Sequence, residues 1–170
     1  MKKFVFYLLA VVLVASSCGK SEREFDEELN QAYSEMSKTL YISSIVHDEI
    51  ISTWRKAILD EKTPSGKDCD DFDDALEELS DSLAKFGIVD SIRKWNNHLL
   101  LLTSEMNEAP NSRKECYDDF VNIVSDVSSF SRLATTGNMN DIKKSNDIID
   151  GLAKKIDQFK IKYGRFLKDL

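Results

Sequence analysis

The chain reads as an all-α protein, an antiparallel up-down four-helix bundle with a long first hairpin. Three observations carry that reading. Apolar residues recur at steps of three and four in four long segments, the spacing of one helix face. The segments are parted by three clear turns, each holding Pro or Gly: Thr63-Pro64-Ser65-Gly66, Ala109-Pro110-Asn111-Ser112 and Thr135-Thr136-Gly137-Asn138. Six Gly and two Pro are too few for a turn-rich β fold, and no stretch alternates with period two.

The first helix begins near Glu22 and carries Phe25, Leu29, Tyr33, Met36, Leu40, His47, Ile50, Trp54 and Ile58 on its seam. It should stop at Glu61 or Lys62, because Thr63 precedes Pro64 and is pushed out of helical geometry. A run of acids from Asp68 to Asp74 opens the second helix, where negative charge complements the helix dipole. Its seam runs from Phe72 through Phe86, then from Val89 to Met106, and slips at Gly87. A Gly inside a helix costs about 1 kcal/mol relative to Ala, so a kink or break is expected there. Ser112 and Glu115 have capping-box spacing ahead of a third helix bearing Tyr117, Phe120, Val124, Val127 and Phe130. Gly137 suits a left-handed residue after that helix. The fourth carries Ile142, Ile149, Leu152, Ile156, Phe159, Tyr163 and Phe166 to the C-terminus.

The first eighteen residues are of another kind. Lys2 and Lys3 precede an apolar run from Phe4 to Ala15, which is signal-core length and too short to span a bilayer. Ala15, Ser16 and Ser17 then lead into Cys18. This arrangement resembles the lipobox of bacterial lipoprotein signal peptides, although Ala15 stands where that motif usually carries Leu. The resemblance implies that residues 1–17 are removed and that Cys18 is acylated as the first mature residue. Residues 18–23 then form the lipidated Cys and a short spacer, and 24–170 the helical domain. It also implies a cell-envelope location, with the domain in the periplasm or on the cell surface. Gly19, Lys20 and Ser21 are not the acidic residues linked to inner-membrane retention, which favours the outer membrane. The alternative is an ordinary secretory signal cut near Ser16 or Ser17, leaving Cys18 a plain thiol.

Residues 1–17 hold two lysines and no acid, so their removal leaves 21 basic against 30 acidic residues, a net charge of about −9. That balance argues against nucleic acid and against a polybasic grip on anionic lipid. Cys69 and Cys116 would lie in an oxidising compartment, where a disulfide is the default. Geometry opposes it: a straight second helix would part them by nearly 60 Å, while bridged Cα atoms lie within about 7 Å. The bond requires that helix to fold back near Gly87. Straight helices would also leave Trp54, Ile58, Phe72 and Leu76 projecting beyond the shorter second hairpin, half-covered, as a partner surface. The competing expectation is that one helix bends and buries them.

Motifs for chemistry are missing. The acidic run Asp68-Cys-Asp-Asp-Phe-Asp-Asp fails the spacing of a calcium loop at its fifth, sixth and twelfth positions. His47 falls on an apolar seam, as a core histidine does, and neither His47 nor His98 belongs to a Glu-x-x-His motif. No catalytic residue, metal or cofactor is expected. Two functions fit: a lipid-anchored interaction or structural module of the envelope, or a small-ligand or solute-binding helical lipoprotein. In the second, Tyr33, Trp54, Trp95, Phe120, Phe159 and Tyr163 would line a cavity between helices.

Overall fold

A computed structural model of the chain describes residues 20–137 and 139–167. Their secondary structure is helical, in five helices: α1 (Glu22–Leu59), α2 (Phe72–Lys85), α3 (Ile88–Glu105), α4 (Lys114–Leu133) and α5 (Met139–Tyr163). Short 3₁₀ turns cover Met106–Glu108, Asn111–Arg113 and Gly164–Phe166. The signal segment and Cys18 lie outside the described residues. The expected second helix is two helices, α2 and α3, because Gly87 takes the left-handed conformation at φ +62°. The Gly87 N–H closes on the Ala84 carbonyl, and α3 restarts with Ser91 donating back to Gly87.

The first helix starts at Glu22, where its periodicity begins, and is firmly capped. Ser21 accepts from the Glu24 N–H, and the Glu24 carboxylate accepts from the Ser21 N–H, a complete capping box. Residues 18–23 are therefore not a spacer throughout: the helix takes over at Glu22. The reverse correction applies to α4. Ser112 donates its hydroxyl to Glu22 of α1, and Arg113 at the helix start makes no side-chain cap. The Ser112–Glu115 box does not form.

Two apolar clusters divide the interior along α1. We call the end where α1 begins the base and the end where it finishes the tip. At the base, Phe25, Leu29, Tyr33 and Met36 meet Leu99 of α3 and Met106 just after it, Phe120 and Val124 of α4, and Leu152, Phe159 and Tyr163 of α5. The rings pack on one another, with Tyr33–Phe159 centroids 6.2 Å apart, Phe120–Phe159 5.6 Å and Phe159–Tyr163 4.9 Å. Arg113 closes this end by a two-pronged grip on Asp26 (2.8 and 3.1 Å) while its guanidinium lies 3.8 Å from the Phe166 ring centre. Nearer the tip, Val46 and Ile50 pack with Leu79 of α2, Ile92 of α3 and Ile142 of α5.

A polar waist separates the clusters. Ser43 and Ser131 share a buried hydrogen bond at 2.9 Å, and Ser145 donates to the Ile142 carbonyl. Thr39 and His47 are buried beside them, and neither Thr39 Oγ1 nor His47 Nε2 has a partner.

Two substitutions distinguish what the apolar base and the left-handed break contribute. Phe120→Ala removes a fully buried ring and should cost about 3–5 kcal/mol. At Gly87 nothing lies within 4 Å of an added Cβ, so Gly87→Ala should cost only the conformational penalty of about 1–2 kcal/mol. Urea unfolding of both variants against the parent checks the pair.

Candidate functional site

The residues expected to form a partner surface lie at the tip, and the structure treats them unequally. Trp54 rests on Phe72, ring centres 3.8 Å apart, and donates its indole N–H to the Gly137 carbonyl at 3.3 Å. Gly137 follows α4 with φ +67°, the left-handed residue expected there. The α4–α5 turn thus reaches up to cover Trp54, and Leu76 lies beside Gly137. Trp54, Phe72 and Leu76 are half-buried. Ile58 is 59% exposed, and its neighbour Leu59, which the seam pattern passes over, is 72% exposed. The open surface is therefore smaller than expected: the last turn of α1 and the loop after it.

That loop is built to hold its shape. Glu61 takes a left-handed φ of +51°, rare for a non-glycine residue, and turns the chain off the end of α1. Cys69 donates its N–H to the Glu61 carbonyl, Thr63 donates to the Lys67 carbonyl, and Lys62 pairs with Asp68. Glu78 of α2 accepts from both the N–H and the hydroxyl of Ser65, pinning the loop to the helix that follows. The Asp68 carboxyl sits below its usual range because of the Lys62 bond, and Glu78 does so through Thr63 and Ser65. Asp71 caps α2 by accepting from the Asp73 N–H. The acidic run thus makes an ion pair and a helix cap. It also leaves a charged surface: nine acids and two lysines lie between Asp60 and Glu78, a net −7 on nineteen residues.

The two thiols do not meet. Cys69 and Cys116 are both free and buried. Cys69 is tied to Glu61 at the tip, and Cys116 belongs to the base cluster with Phe25 and Leu29. The break at Gly87 does not bring them together, because α2 and α3 follow one another along the length of α1. The bond, which required the second helix to fold back toward the base, is absent, and the thiols lie one near each end of the hairpin. Burial pushes the Cys116 thiol up to about 12, which leaves it protonated and unreactive.

His47 is a core residue, 4% exposed and tilted against Phe130 with ring centres 5.4 Å apart. Burial lowers its pKa, opposed by the Asp48 carboxylate and the Ile142 backbone. His98 is exposed and faces Glu35, with Nδ1 at 3.6 Å. Of the aromatic side chains proposed to line a cavity, Tyr33, Phe120, Phe159 and Tyr163 fill the base core instead. An open groove of about 560 Å³ runs between α4 and α5, crossed by the Lys155–Asp126 pair and by Lys162 held between Glu115 and Asp119. Tyr163 donates its hydroxyl to the same Asp119 at 2.7 Å.

Among the described residues no helix is long and apolar enough to cross a membrane. Comparison of the chain with protein-family models, with curated proteins and with solved structures gives no match.

Two predictions follow from these buried groups. A histidine in the unfolded chain titrates near 6.5, above the lowered folded value, so the unfolded state takes up the proton first as pH falls. The melting temperature should drop between about pH 7.5 and about pH 5.5, and His47→Gln should flatten that part of the curve. A thiol titration without reductant should find both Cys69 and Cys116 free after denaturation, with Cys116 unreactive before it.

Proposed function

We propose that the mature chain is a lipid-anchored interaction module of the bacterial cell envelope, without catalysis or a cofactor. In this reading Cys18 carries the acyl anchor, and the residues that follow it place the protein at the outer membrane. The helices form an up-down bundle of four legs, α2 and α3 making one broken leg. A partner binds at the tip. The observation that carries the proposal is the exposed Ile58–Leu59 pair set among nine acids, at the opposite end of α1 from the anchor. The pair is rimmed by charge, the setting in which exposed apolar surface marks a partner site, and a rigid loop around it lowers the entropy lost on docking. The solute-binding alternative has less behind it, because most of the seam aromatics pack on each other.

A photo-crosslinking amino acid at Ile58 or Leu59 in the membrane-bound protein tests this. The expected result is a discrete protein adduct from both tip positions and none from Lys154, exposed on the base half of α5, with Leu59→Asp abolishing the adduct from position 58. Equal labelling from tip and control positions, or no adduct at the tip, overturns the proposal.

A further inference from the structure

The side chain ahead of the first cap shows how the body is held relative to its anchor. Lys20 is only 16% exposed: its ammonium pairs with Glu28 of α1 and donates to the Glu105 carbonyl at the end of α3, 2.8 Å away. The residue just before the helix is thus fastened to two helices of the base. Ser21 then caps α1 with no slack. Only Gly19 lies between Cys18 and this fastening, so the anchored residue can stand no more than about 7 Å of chain from Lys20.

A second observation is independent of the tether. The segment from Asp60 to Glu78 carries net −7, whereas the mature chain carries about −9, which leaves the rest of the body near −2. Anionic lipid repels a concentrated negative charge within a Debye length of the surface and is almost indifferent to a near-neutral one. Both observations orient the molecule the same way.

We infer that the body stands on the bilayer by its base, with the Met106–Glu108 and Asn111–Arg113 turns facing the lipid headgroups and the acidic tip held away from them. This rests on the acylation of Cys18. The standoff is the length of α1: 38 residues at 1.5 Å each place Leu59 about 57 Å from Glu22. A long flexible linker would let the body tumble, but one free residue does not. The orientation also gives the tip its use, since a partner in the aqueous layer meets Ile58 and Leu59 before any other part of the chain.

Energy transfer to a lipid-borne acceptor tests the inference on the full-length, lipidated protein in phosphatidylcholine–phosphatidylglycerol vesicles. A donor is placed by Asn107→Cys at the base or Ser65→Cys at the tip, in a Cys69→Ser, Cys116→Ala background. Transfer should be several-fold stronger from position 107 than from position 65. A Gly-Ser insertion of about twenty residues after Gly19 should remove the difference, because a tether that long spans about 25 Å. Amide exchange on the unaltered protein gives the same answer without core substitutions: vesicles should slow exchange at 106–113 and leave 60–71 unchanged. Vesicle-bound protein with equal transfer from both positions, or equal protection at both ends, overturns the orientation and leaves the anchor standing. Protein that fails to float with vesicles overturns both.

Discussion

Helix α1 runs unbroken from Glu22 to Leu59 and no other described helix comes near its length. A helix that long cannot bury its apolar stripe against a single partner of 14 to 25 residues. It is covered in sections instead, by α3, α4 and α5 at the base and by α2, with Ile92 of α3 and Ile142 of α5, nearer the tip. The break at Gly87 follows from this division. With the left-handed residue between them, α2 and α3 are separate helices, each free to settle its own apolar stripe on its own section of α1.

The division also distributes stability. The base has interlocked aromatic rings, the Arg113–Asp26 grip and the Asp119–Tyr163–Lys162 clasp between α4 and α5. The cluster nearer the tip is smaller and more aliphatic, and a waist with two unpartnered polar atoms lies between them. Unpartnered buried groups each cost on the order of 1–3 kcal/mol. Local opening should therefore begin on the tip side of the waist, where apolar burial is least.

Periodicity in the sequence placed most seam residues in helices, Phe86 excepted, which lies in the turn before Gly87 and is 70% exposed; the three expected turns fall where Pro and Gly stand. Gly87 was readable as a weak point because the three-four alternation slips there. What could not be read is the long-range pairing of polar residues. Lys20 looks like spacer composition until Glu28 and Glu105 are brought beside it, whereas the Ser21–Glu24 box is local and carries a Ser-x-x-Glu signature. Ser112 looks like a cap until Glu22 competes for its hydroxyl. The two thiols carry no signal of which end of α1 each will occupy. At the tip, Trp54, Phe72 and Leu76 were legible as a cluster, but their cover is the turn around Gly137, contributed from some eighty residues away. Leu59 was missed because it stands off the seam, which is the reason it is exposed.

Everything from the standoff to the isolated tip depends on α1 being one straight rod. Spin labels introduced by Glu27→Cys and Lys56→Cys, both exposed positions on α1, measure this directly by pulsed dipolar spectroscopy in a Cys69→Ser, Cys116→Ala background. Twenty-nine residues of continuous helix give a single narrow distance near 45 Å. A distribution centred well below that, or one split between two distances, would mean that the helix bends and the tip folds back toward the base.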